Sequence, residues 1–152
     1  MKDGLKSSLK RLERLFQIRQ TYVSVAEAGV KQAEGEVRKL ESAESEVDGT
    51  IRNTKAEIAY LQTATGHDLQ SGERYIGALQ LQRKIIEQSL EKATGNLDQR
   101  RHEWTDAMRE QKVIEKVQER RLHQWEREDD VEKQKVQDDA SVGRYVRTRL
   151  QR

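Results

Sequence analysis

Apolar residues recur along the chain in alternating steps of four and three. From Leu5 they fall on Leu9, Leu12, Phe16, Val23, Ala26, Val30, Ala33, Val37, Leu40, Val47, Ile51, Ile58 and Leu61, with Arg19, Glu44 and Thr54 as the interruptions. Fourteen of the seventeen stripe positions are apolar. A 4-3 spacing held over eight heptads is the pattern of a coiled-coil seam. It predicts one helix over about 5–62, roughly 85 Å long at 1.5 Å per residue. A second stripe runs through Ile76, Leu79, Arg83, Ile86, Leu90, Ala93, Leu97, Arg100, Trp104, Ala107, Gln111 and Ile114, nine of twelve positions being apolar. It predicts a helix over about 74–148. Beyond Ile114 the phase loosens through Val117, Leu122 and Trp125, where residues 115–139 hold 15 charges in 25 positions.

Between the stripes the period stops. Thr63 to Gly72 contains two glycines and several turn formers, so a connection is expected over about 63–73. Ser71 or Asp68 is the expected cap of the second helix. Two matched stripes on a short connection predict an all-α fold: a long two-helix antiparallel coiled-coil hairpin forming one domain over 1–152.

Pairing residues whose numbers sum to about 137 sets Ile58 opposite Leu79, Ile51 opposite Ile86, Val47 opposite Leu90, Leu40 opposite Leu97, Ala33 opposite Trp104, Val23 opposite Ile114 and Leu12 opposite Trp125. Large residues then meet small ones across the seam. Charge agrees with this layout. Residues 1–20 carry six Lys or Arg against two acids, and Glu126, Glu128, Asp129, Asp130 and Glu132 fall opposite that basic start. Residues from about 133 onward are then an overhanging C-terminal helix.

Composition narrows the alternatives. With 37% charged and 34% apolar residues the chain is too polar for a thick globular core. It has no proline, and 29 basic residues nearly cancel 27 acidic ones, which argues against disorder and for uninterrupted helices. The absence of cysteine excludes disulfides, thiolate zinc sites and thiol nucleophiles. No apolar run has the length of a membrane span or of a signal peptide, so a soluble, unprocessed chain is expected. A net charge of +2 is too small to point to nucleic acid.

No catalytic or cofactor constellation is present in the pattern. No Gly-Lys-Ser/Thr occurs in a phosphate-loop context, and His67, His102 and His123 lack metal-ligand spacing. Glu119 and His123 stand at i, i+4, but a solvated helix pair explains them without a metal. Asp129, Asp130, Asp138 and Asp139 lack the central glycine of a calcium loop. A two-helix rod also has no pocket in which to desolvate reacting groups. The expectation is no enzyme activity, no cofactor and no metal.

Three segments carry a resemblance: Tyr75, Ile76 and Leu79 at the entry of the second helix; Glu115, Lys116 and Glu119; and the Gln-Lys-x-x-Asp-Asp-Ala run from Gln134 to Ala140. Together they resemble the flagellar export protein FliJ family, itself similar to the coiled-coil part of the rotary-ATPase gamma subunit. The last segment departs from the commoner Asp-Glu form at Asp139, which keeps the charge.

The resemblance implies a stalk inserted in the hexameric export ATPase that promotes ring assembly, couples it to the export-gate membrane protein and escorts export chaperones. It implies a flagellar location, cytoplasmic and at the cytoplasmic face of the inner membrane, reached only through partners. Tyr75 and Leu79 occupy the family's gate-contact positions, although Leu79 also lies on the seam. The basic start (Lys2, Lys6, Lys10, Arg11, Arg14) and the basic tail (Arg144, Arg147, Arg149, Arg152) are the expected contacts with acidic groups of the ring. An isolated monomer that binds no nucleic acid is expected. The alternatives left open are an injectisome stalk homologue and a generic self-associating coiled-coil scaffold.

Overall fold

The computed structural model describes residues 2–61 and 65–151. Two helices, α1 (Lys2–Tyr60) and α2 (Gly66–Leu150), pack against each other as a helical hairpin, with no strand among the described residues. Every position of the first stripe from Leu5 to Ile58 is buried or half-buried, and so is every position of the second except Arg100. The seam read from the pattern is the seam of the fold. Leu61, the last stripe position, lies beyond the end of α1 and is exposed.

The connection is shorter than the 63–73 expected from composition, because α2 is capped earlier. The Thr65 hydroxyl accepts the Asp68 N–H at 3.2 Å, and the Asp68 carboxylate accepts the Thr65 N–H at 3.2 Å. This reciprocal pair satisfies two helix-end donors, so the helix starts at Gly66 and Ser71 lies inside it. Asp68 is the third-residue partner of the cap, and Thr65 is the cap itself. At the other side of the bend the Leu61 N–H closes a tight last turn onto the Ile58 carbonyl at 3.3 Å. Residues 63 and 64 of the expected connection lie outside the described residues.

The contacts divide the hairpin into two compact units, Ser24–Thr105 and Met1–Val23 with Asp106–Arg152. In Ser24–Thr105 two small cores form. Val30, Ala33 and Leu97 are buried together, with Val37 and Trp104 against them. Val47, Ile51 and Leu79 form the second, flanked by Ile76 and Ile86. The paired numbers sum to about 130, one heptad less than the expected 137. Leu79 packs with Ile51 and Val47, and Leu97 with Ala33 and Val30, in place of the expected Ile58–Leu79 and Leu40–Leu97 pairs. A slide of seven residues keeps every seam position facing its partner, so the apolar pattern alone does not distinguish the two registers. The early cap on α2 and a close approach at Gly72 select the shorter one. Arg83, a polar residue on the α2 seam, reaches out to Asp48 at 2.9 Å. The Arg100 stem lies over Gly29, 3.6 Å from where a β-carbon would be.

In Met1–Val23 with Asp106–Arg152, Leu5 is buried and the Lys2 ammonium sits 5.7 Å from the centre of the Trp125 ring. Trp125 was expected opposite Leu12; its ring instead lies by Lys2, a shift in the same direction. Along α2 the seam passes through Gln118, Trp125 and Glu128, which are half-buried, whereas Val117 and Leu122 are exposed. The 4-3 steps after Ile114 also fall on Arg121 and Glu132, which are exposed, so burial along the seam weakens as expected. The half-buried positions that continue the register are mostly polar, and Val117 and Leu122 lie outside it. Residues 133–150 remain helical, and apart from Gly143 they are exposed.

Candidate protein-binding surfaces

Near the bend, Tyr75 and Leu79 stand one turn apart on α2 but face differently. Tyr75 is 52% exposed; Leu79 is 8% exposed, within the core of Val47 and Ile51. Tyr75 is thus available to a partner, and Leu79 holds α2 against α1 beneath it. Tyr60, Leu61 and Leu69 add exposed apolar side chains close to the bend in sequence.

The basic start divides by role. Lys2 donates hydrogen bonds to Asp129 and, at 3.0 Å, to Glu132, and Asp129 also pairs with Lys133 at 2.7 Å. The bonds from Lys133 and Lys2 hold the Asp129 carboxyl below the usual range, and Asp129 raises both ammonium groups. Lys2 is therefore committed to tying the first turn of α1 to α2. Lys6, Lys10, Arg11 and Arg14 are exposed and join no ion pair among the described residues. At 100° per residue Lys10, Arg11 and Arg14 share the face of α1 that points away from the seam, and Lys6 stands at the edge of the seam.

The basic tail is also exposed at Arg144, Arg147 and Arg149; Arg152 lies outside the described residues. Arg147 and Arg149 stand in the last turn of α2, where a cation complements the helix dipole, and the Arg144 guanidinium donates to the Ala140 carbonyl at 3.4 Å. Counting 1.5 Å per residue along α2, Arg144 lies about 22 Å past Asp129. An acidic belt from Glu126 to Glu132 separates the two basic groups within this unit.

These features describe a helical hairpin that presents charge and a few exposed apolar side chains. Among the described residues no group of three His, Asp or Glu is placed to hold a metal. No described helix is long and apolar enough to cross a membrane. The family model of the flagellar FliJ protein matches residues 8–150. The chain belongs to the FliJ family. Membership makes it a component of flagellar type III protein export, in which this family serves structurally. Comparisons with curated proteins and with solved structures give no match.

Sequence reasoning passed over Leu15, Ile18 and Tyr22, all exposed on α1. Their signal was legible: they repeat at the 3-4 spacing of a seam, but on a face the main stripe does not use.

Proposed function

We propose that this FliJ-family chain is the stalk of the flagellar export ATPase: the basic end of the hairpin enters the hexameric ring, promotes its assembly, and links it to the export gate. The observation that carries the reading is the set of exposed cations Lys6, Lys10, Arg11 and Arg14 on α1, none of which joins an ion pair among the described residues. Two packed helices are about 20 Å across, and cations left free on such a hairpin offer reversible contacts to acidic groups of an encircling ring. Because the hairpin is asymmetric, successive ring subunits meet different residues, so nucleotide state and hairpin orientation are coupled. Arg144, Arg147 and Arg149 contribute a second set of contacts further along α2.

The gate contact is made by Tyr75, which Leu79 supports from the core. Export chaperones bind the same chain, and its place at the cytoplasmic face of the inner membrane follows from these partners. The test is to add the chain to the export ATPase of the same organism and follow the hydrolysis rate. Stimulation is expected, and Lys10→Glu, Arg11→Glu and Arg14→Glu together should shift its concentration dependence about tenfold. No stimulation by the unaltered chain would remove the proposal.

A further inference from the structure

One face of the unit Met1–Val23 with Asp106–Arg152 carries an apolar strip that its own fold leaves uncovered. The Tyr22 ring lies 5.8 Å from the Arg19 guanidinium, and Arg19 pairs with Glu110 of α2. These three residues mark one side of the hairpin. Leu15 stands two turns before Tyr22 on α1, and Val117 stands two turns after Glu110 on α2. In an antiparallel pair both then fall on that same side and alongside each other. Ile18 and Val113 lie between, each three or four residues from its neighbours on the same helix. Leu15, Ile18, Tyr22, Val113 and Val117 are 47%, 51%, 58%, 61% and 37% exposed. From Leu15 to Val23 the sequence has a single charged residue, Arg19, so α1 is apolar here on the strip as well as on the seam.

Cations border the strip on both helices: Arg11 and Arg14 on α1, and Lys116 and Arg120 on α2, all exposed. The acids on this face are already engaged, Glu110 with Arg19 and Asp106 with Arg109 at 3.9 Å. We infer that this face is a docking groove for one amphipathic helix whose apolar stripe is flanked by acidic side chains. The 3-4 spacing of the strip matches the spacing of such a helix, and the groove between two helices is one side chain wide, as helix-in-groove recognition requires. A second copy of the chain is disfavoured, since the same face laid on itself sets the cation rows against each other. The inference does not rest on the ring-stalk proposal, because the groove would take such a helix with or without an ATPase present.

The experiment uses the full chain and a designed, fluorescein-labelled helical peptide of about three heptads, with leucines on the stripe and glutamates flanking it. Anisotropy should give a Kd on the order of 10 μM at low salt, weakening as salt rises. Ile18→Glu and Val117→Glu should each weaken binding at least tenfold while circular dichroism stays unchanged. Leu81→Glu, at an exposed apolar position elsewhere, should leave binding intact. A peptide with lysines in place of the glutamates should not bind. The inference is overturned if the lysine peptide binds equally, if the acidic peptide does not bind, or if neither variant alters its binding. It is also overturned if the chain sediments as a dimer that Ile18→Glu dissociates, or if anionic vesicles displace the peptide from the same residues.

Discussion

Gly72 allows α2 to pass the side chain of Ile58. A β-carbon on Gly72 would stand 2.5 Å from Ile58 Cδ1 and 3.1 Å from Cγ1. The contact lies close to the bend, and it belongs to the register in which paired numbers sum to about 130. Cδ1 is the far end of a flexible chain, so alanine at 72 should be nearly neutral, its helix propensity offsetting the adjustment of Ile58. Valine adds two further carbons and should cost about 1–3 kcal/mol. Combining Gly72→Val with Ile58→Ala should recover part of that loss. Urea denaturation followed by circular dichroism measures the cycle, and strictly additive losses would mean the two residues do not touch.

Four other helical glycines have no such reason to stay. A β-carbon at Gly35, Gly49, Gly77 or Gly95 meets nothing within 4 Å. Each Gly→Ala change should therefore stabilise the hairpin by up to about 1 kcal/mol. The gains should nearly sum, since a β-carbon at any of the four sites touches nothing through which it could couple to another. A thermal melt of the fourfold variant should move upward; an unchanged melting temperature would mean that propensity does not limit these helices.

The Lys2, Asp129 and Lys133 cluster makes the pairing at the start of α1 sensitive to acid. The Asp129 carboxyl is lowered in the folded chain, so its contribution is present above the ordinary carboxyl range near 3.9. It is lost as pH falls through the lowered folded value. Lys2 and Lys133 are raised, so their share is complete at neutral pH and is lost only in strong alkali. Carbon-detected NMR titration should find Asp129 as a low-titrating carboxyl. Asp129→Asn should leave the amides of residues 6–9, the first that α1 itself hydrogen-bonds, exchanging faster at pH 7, with little effect on the Val47, Ile51 and Leu79 core.

Because the chain has no cysteine, its register can be read by crosslinking. Ile51→Cys with Leu79→Cys places two thiols within one core and should oxidise quickly to a disulfide. Ile58→Cys with Leu79→Cys is offset by a heptad, about 10 Å along the helix, and should not. The reverse outcome would restore the register in which the numbers sum to 137.

The seam was legible in the sequence because burial on one helix face leaves a period, and that period is visible at nearly every position from Leu5 to Ile114. Register was not, since a seven-residue slide preserves the period and changes only which side chain meets which. The features that select it are local. Thr65 and Asp68 carry the Thr-x-x-Asp spacing of a capping box, a signal present in the sequence, while the approach of Gly72 to Ile58 exists only once both helices are placed. Along α2 beyond Ile114 the apolar content misled: Val117 and Leu122 are apolar but exposed, and Gln118 and Glu128 are polar but on the seam. Tyr75 and Leu79 look alike in a motif and are separated only by the turn of the helix.

The central proposal is that one asymmetric hairpin serves a sixfold ring, and the stoichiometry of the complex tests it most directly. Native mass spectrometry of the export ATPase mixed with this chain should find six ATPase subunits with a single copy of the chain, at the expense of smaller ATPase species. Complexes with one chain per ATPase subunit, or hexamers that carry none, would contradict it.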